Sequence, residues 1–201
     1  EMPTISQCEP GDPLDKRLNT DGRPNPGVEV RIVDDSGHDV TPGSEGEIAA
    51  RGAERFIGYT DAALTAASFL PGGWFLTGDI GRVDADGFLA ITDRKKDIII
   101  RGGENISSRE VEELLLQIPG VRDVAAIGWP DARLGERVCA VLITDPAAML
   151  TLETIGDHFS RLGVARQKTP EKLVFVDVFP RTPTGKVQKA ELRRDLGTKT
   201  G

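Results

Sequence analysis

Apolar and polar positions change their rhythm along the chain. Residues 3–27 are crowded with Pro, Gly and Asp and have no apolar period, which predicts an extended surface segment. Val28-Glu29-Val30-Arg31-Ile32-Val33 then alternates with period two, the pattern of a half-buried strand, and Asp35-Ser36-Gly37 follows as a turn. A second strand is expected over 47–51. Thr60 is placed to cap a short helix whose apolar residues Ala63, Leu64, Ala67 and Phe69 end at Pro71-Gly72-Gly73. Three apolar bursts follow in 74–92, the last two separated by Asp84-Ala85-Asp86-Gly87. The Asp-x-Asp spacing is compatible with a calcium loop, but a third ligand and a terminal Glu are missing, so a hairpin turn is the expectation.

Beyond residue 97 the period lengthens. Ile98-Ile99-Ile100 reads as a buried strand leading into Arg101-Gly102-Gly103. Ser107 and Glu110 have capping-box spacing ahead of Val111, Leu114, Leu115 and Ile118, which recur at helical intervals until Pro119-Gly120. Strands are expected at 124–129 and 138–144, then a second amphipathic helix with Leu152, Ile155, Phe159 and Leu162 ahead of Gly163. A strand at 173–176, a loop at 180–185 and a short helix carrying Leu192 and Leu196 complete the pattern. The fold class is therefore α+β: a small β-rich subdomain followed by an α/β domain of about 105 residues, long enough to hold its own core.

Charge divides the chain at the same point. Residues 1–93 carry 7 basic and 17 acidic side chains, net −10, whereas 94–201 carry 18 and 15, net +3. The second half is the more hospitable to a phosphorylated ligand, and neither half has the basic stripe of a nucleic-acid binder. No apolar run reaches membrane-spanning length. Two cysteines, Cys8 and Cys139, cannot make a disulfide framework or a zinc site and read as packed or surface thiols, so a cytoplasmic location is expected.

Taken singly, the candidate chemical segments are weak. The 180–186 segment ends in Gly185-Lys186 but lacks the first glycine and the Ser/Thr of a phosphate loop, leaving a lysine that Gly185 lets swing. Asp93-Arg94-Lys95-Lys96-Asp97 reads as a solvated charge run on the junction between the halves. Thr77-Gly78-Asp79 is a carboxylate beside a glycine, where a ligand can come close.

In this order and at these separations the segments are specific. Trp74-Phe75-x-Thr77-Gly78-Asp79, Asp93-Arg94-Lys95-Lys96-Asp97-Ile98-Ile99-Ile100-Arg101-Gly102-Gly103-Glu104-Asn105 and Pro180-Arg181-Thr182-Pro183-Thr184-Gly185-Lys186 together resemble the AMP-forming acyl-CoA synthetases of the adenylate-forming superfamily. Gly46-Glu47-Ile48 and Gly58-Tyr59 match a further family segment. The resemblance covers only the family's C-terminal part. It implies the tail of the large adenylation domain over 1–93, a hinge at 94–97 and the mobile C-terminal domain over 98–201, with the remainder of the large domain missing upstream.

The resemblance further implies a two-step reaction with a carboxylic acid of the fatty class, ATP with Mg²⁺, and coenzyme A. Lys186 matches the lysine of the adenylation step, Asp79 the carboxylate that accepts from the ribose hydroxyls, and Arg94 a guanidinium on the same nucleotide. Glu1 falls at the family's Mg²⁺ glutamate, Lys96 at the hinge, and Arg101, Gly102, Gly103 and Glu104 at the coenzyme A passage. Trp129-Pro130-Asp131 and Gly135-Glu136 match a strand-end pattern expected to serve packing. An adenylation domain that loads a carrier protein is the nearest alternative, disfavoured by the Gly102-Gly103-Glu104-Asn105-Ile106-Ser107-Ser108 stretch. A non-catalytic binding or regulatory module is the alternative from another class. The 201-residue chain alone is expected to be inactive.

Overall fold

The computed structural model describes residues 1–198, so the last three residues of the expected 98–201 domain lie outside the described residues. The chain divides into two compact units, Glu1–Lys96 and Asp97–Gly201.

In the first unit, β3 (Glu29–Val33), β4 (Gly46–Arg51) and β6 (Trp74–Val83) pair antiparallel in that order, and β6 also takes β5 (Phe69–Leu70) and β7 (Leu89–Arg94). Central strand β4 is buried from Glu47 to Ala50. Ala50 and Phe75 pack with Met2 and the half-buried Phe56 and Phe69, three of whose rings meet at 5.1 to 5.6 Å. The helix before β5 (α2, Ala62–Ala67) is capped by Asp61, not Thr60: the Asp61 carboxylate accepts from the Ala63 and Leu64 N–H groups. Phe69 lies past the helix, in β5.

Residues 3–27 are not merely extended. They contain β1 (Ser6–Gln7) paired with β2 (Arg23–Pro24), and helix α1 (Leu14–Asn19). What organises this polar stretch is long-range. Lys16 Nζ lies 2.6 Å from Asp84 and 2.7 Å from Asp86, and the Arg23 guanidinium stacks 3.8 Å over Phe88. Such partners lie 65 to 70 residues away and leave no local period. The same contacts decide between the readings of Asp84-Ala85-Asp86-Gly87. It is a hairpin turn with Gly87 at φ 82° and Asp84 capping the Asp86 and Phe88 N–H groups, while the Lys16 ammonium sits on both carboxylates.

The second unit places a five-stranded sheet between helices. The hairpin β8 (Ile99–Arg101) and β9 (Glu104–Ile106) joins β11 (Gly135–Thr144) through Arg101 and Gly135. Strand β11 pairs antiparallel with β10 (Val121–Asp131) and parallel with β12 (Lys172–Phe175). Of the 98–100 triplet, Ile99 is core and Ile100 is exposed, because alternation turns Ile100 outward.

Both faces of β10 and β11 are apolar, and alternation sorts them. Val124, Ala126, Val138, Ala140 and Leu142 meet α3 (Ser108–Leu115) and α4 (Leu152–Arg161) through Val111, Leu115, Ile155 and Phe159. Ala125, Ile127, Cys139 and Val141 meet Phe179 and the Leu192 and Leu196 side chains of α5 (Lys189–Thr198). Each fully buried Ile or Leu here contributes roughly 1.5–3 kcal/mol. Burial also pushes the Cys139 thiol up to about 11, so it is an inert packing group. Ser107 caps α3 by accepting from Glu110 N, while the Glu110 carboxylate is held by Lys168 Nζ at 2.7 and 2.8 Å. The full reciprocal capping box is at Thr151 and Thr154.

Candidate active site

In the first unit the Thr77-Gly78-Asp79 motif is a bulge. Glu47 faces Ile80 and Ala49 faces Leu76, so residues 77–79 of β6 together oppose Ile48 alone. Gly78 adopts φ 74°, a left-handed backbone for which a side chain is costly, although a Cβ there would meet nothing within 4 Å. Its N–H donates to Glu47 Oε1 at 3.2 Å, and the Asp79 N–H donates to Thr77 Oγ1 at 3.0 Å. The bulge therefore re-aims Asp79, whose register partner on β7 is Arg94; Oδ1 and Nε are 2.8 Å apart.

Glu47 is the part that sequence reasoning left without a role. It is buried, and its second oxygen takes Lys95 Nζ at 2.9 Å. Lys95 also reaches Asp35 at 2.9 Å, and these two carboxylates, Asp35 foremost, hold the ammonium above its ordinary pKa. The 93–97 run is thus only partly a solvated face. Asp93 is buried, Lys95 neutralises the glutamate that fixes the bulge, and Lys96 is exposed. A Glu placed directly before the apolar Ile48-Ala49-Ala50, inside the expected strand, was the available signal.

Asp79, Arg94, Thr77, Phe75 and Glu1 line one open cleft of about 400 Å³. Glu1 Oε1 accepts from the Tyr59 hydroxyl at 3.0 Å, and desolvation with that carboxylate alongside raises the Tyr59 pKa. Among the described residues no three His, Cys, Asp or Glu side chains are grouped to hold a metal. Glu1 is a single hard-oxygen donor, the number Mg²⁺ needs when phosphates and waters complete its shell.

In the second unit Lys186 sits on a tight hairpin. Arg181 and Val187 bridge, Thr182 N donates to Lys186 O at 2.8 Å, and Gly185 N donates to Thr182 O at 2.9 Å. Pro183 in the turn and Gly185 at φ 87° match a type I turn with a left-handed glycine bulge. Gly185 therefore shapes the loop through its left-handed φ, with open space around it. Lys186 is exposed and makes no ion pair among the described residues.

Arg101-Gly102-Gly103-Glu104 is the β8–β9 turn, with Gly102 at φ 61° and Gly103 at φ 87°, the two positive angles a two-residue hairpin demands. Arg101 is clamped by Glu171 through two hydrogen bonds of 2.7 and 3.1 Å, which holds the Glu171 carboxyl below the usual range. The 129–136 segment steadies this turn through hydrogen bonds. Asp131 caps the Arg133 and Leu134 N–H groups, Leu134 O accepts from Gly102 N at 2.8 Å, and Glu136 Oε2 accepts from Ile100 N at 2.8 Å. Arg101, Glu104, Arg133, Arg166 and Glu171 rim an open cavity of about 850 Å³. Arg133 and Arg166 carry no sequence signal that separates them from surface arginines.

Residues 110–186 match the AMP-binding enzyme C-terminal domain and residues 1–60 match the AMP-binding enzyme model. A medium-chain fatty-acid–CoA ligase of Escherichia coli K12 is 49% identical over 92% of this chain and 33% of its own length. An indoleacetate–CoA ligase of Aromatoleum aromaticum is 40% identical over 98% and 38%. Among solved structures, ATP-bound MatB from Rhodopseudomonas palustris superposes with TM-score 0.80 at 36% identity, over 88% of this chain and 35% of that one. The Bacillus subtilis o-succinylbenzoate CoA synthetase with its acyl-adenylate intermediate gives 0.79 at 32%, over 89% and 36%. The chain spans about a third of the length of the relatives it matches.

Proposed function

Because the chain belongs to the AMP-binding enzyme family of adenylate-forming proteins, we propose that it is the C-terminal third of an acid–thiol ligase that makes an acyl-adenylate and passes the acyl group to coenzyme A. The observation that carries the reading is Asp79, delivered by a glycine bulge to an open cleft with Arg94 beside it.

In the first half-reaction a carboxylate oxygen attacks the α-phosphorus of ATP, the bond to the bridging oxygen breaks, and pyrophosphate leaves. Asp79 accepts from paired ribose hydroxyls and Arg94 contacts the same nucleotide. Lys186, a cation without an ion pair among the described residues and carried on a hydrogen-bonded hairpin, stabilises charge on the carboxylate and α-phosphate oxygens. Glu1 would hold Mg²⁺, which neutralises phosphate charge when bound.

In the second half-reaction the coenzyme A sulfur forms a bond to the acyl carbon, its proton departs, and AMP leaves. The second unit turns about Lys96, and the 101–104 turn serves this step. Its glycines leave room for the pantetheine arm, and the arginine-rimmed cavity suits coenzyme A phosphates. The acid is a short- to medium-chain or cyclic one by analogy with the relatives named above, and it is chosen outside these residues. A cytoplasmic setting is part of the same proposal, supported by two free cysteines. Some relatives at similar identity are named as carrier-protein synthetases, such as the salicyl-S-ArCP synthetase of Mycobacterium tuberculosis at 40%, which keeps carrier loading as the second reading.

The test is AMP release by the full-length protein with a panel of carboxylic acids, ATP and either coenzyme A or a carrier protein. Release that depends on both an acid and coenzyme A is expected. Release that depends on a carrier protein instead favours the second reading, and none with any acid overturns both.

A further inference from the structure

We infer that Arg181 is a positioning residue that fixes the pose of Lys186; the inference rests on the adenylation role proposed for that lysine. The hydrogen bonds within the 181–187 hairpin fix its shape but not its seat on the domain. Val187 packs against the core beneath the sheet, and two polar side-chain attachments complete the seat. Behind the hairpin, Lys189 Nζ lies 2.7 Å from Ser108 Oγ and 2.7 Å from Glu112 Oε1, and that same Glu112 oxygen accepts the Ala126 N–H of β10 at 2.8 Å. In front, the Arg181 guanidinium spreads its fork. NH1 donates to Gly185 O at 2.6 Å and NH2 pairs with Asp123 of β10. The Gly185 carbonyl belongs to the peptide unit that leads into Lys186, so Arg181 ties that peptide plane directly to the sheet.

Exposure separates the two attachments. The Lys189 and Glu112 side chains are 14% and 19% exposed, and breaking a pair so buried damages the fold itself. Arg181 and Asp123 are 41% and 34% exposed, a setting in which an ion pair adds little to stability. Arg181 thus controls geometry at small energetic weight, because its planar fork holds the carbonyl and the carboxylate at a fixed relative angle that a freely rotating ammonium does not impose. Displacing a catalytic group by about 1 Å costs on the order of 100-fold in rate.

The experiment takes the full-length protein as wild type and as Arg181→Met, Arg181→Lys and Asp123→Asn. It measures pyrophosphate exchange, thioester formation from supplied acyl-AMP, and amide exchange across 180–188. Arg181→Met is expected to lower the adenylation kcat by roughly 10- to 100-fold with KM for ATP nearly unchanged. It should leave thioester formation and unfolding temperature intact and speed amide exchange in the hairpin. Arg181→Lys restores charge but not the fork and should rescue only in part, while Asp123→Asn should resemble a weaker Arg181→Met. Unchanged adenylation with a loosened hairpin, unchanged exchange, or equal loss of both half-reactions overturns the inference. A wild type without adenylation counts against the proposed function, and the exchange measurement then still decides whether Arg181 seats the hairpin.

Discussion

Asp79 and Arg94 face each other as register partners across two antiparallel strands, carboxylate and guanidinium 2.8 Å apart at the mouth of a cleft. Both residues also line the cleft that the proposed function gives to the nucleotide. Asp79→Asn keeps the shape and removes the charge. A hydrogen bond to a charged group is worth about 1.5–3 kcal/mol, so KM for ATP should rise by roughly 10- to 100-fold with unfolding temperature little changed. Steady-state pyrophosphate release checks this, and an unaltered KM removes Asp79 from the nucleotide site.

Gly78→Ala isolates the backbone contribution. A Cβ there touches nothing, so any loss comes from the left-handed φ, which costs an L residue roughly 1–2 kcal/mol. The variant should lose about that much stability by denaturant titration. It should also raise KM for ATP, because relaxing the bulge turns Asp79 away. Loss of stability with normal ATP use contradicts the link between bulge and site.

Gly103 combines a turn role with the proposed passage for coenzyme A, and two substitutions separate them. Asn tolerates positive φ whereas Leu does not, yet both project into open space. Both variants should keep adenylation and lose thioester formation by more than about tenfold, only Leu also costing roughly 1 kcal/mol of stability. Normal coenzyme A turnover by Gly103→Asn refutes the passage.

The clamp on Arg101 gives a pH dependence. Glu171 is held below its ordinary value by the Arg101 hydrogen bond, so its contribution is present above the unfolded glutamate pKa of about 4.3 and is lost as pH falls through the lower folded value. Stability against denaturant should fall in that acidic window for wild type and fall less for Arg101→Met. Equal acid sensitivity of the two contradicts the clamp.

What the sequence made legible follows from physical range. Periodicity marked the strands around Val30, Ala126 and Val141 and the helices around Leu115 and Phe159, because a buried face must repeat locally. It missed helix α1, whose organising contacts are Lys16 to Asp84 and Asp86, far away in the chain. Motif spacing singled out Asp79, Arg94 and Lys186, but not that Thr77-Gly78-Asp79 is a bulge held by Glu47 and Lys95, nor that Gly185 fills a left-handed turn position. Arg181 and Lys189 look like any surface cation until their partners are known.

The central claim is that Lys186 acts in the first half-reaction and not in the second. The most direct measurement compares Lys186→Ala with wild type in the full-length protein, scoring pyrophosphate exchange and, separately, thioester formation from supplied acyl-AMP. The account predicts that exchange falls by on the order of 100-fold or more while the thioester half-reaction stays within about twofold of wild type. Equal loss of both half-reactions, or exchange at the wild-type rate, contradicts it.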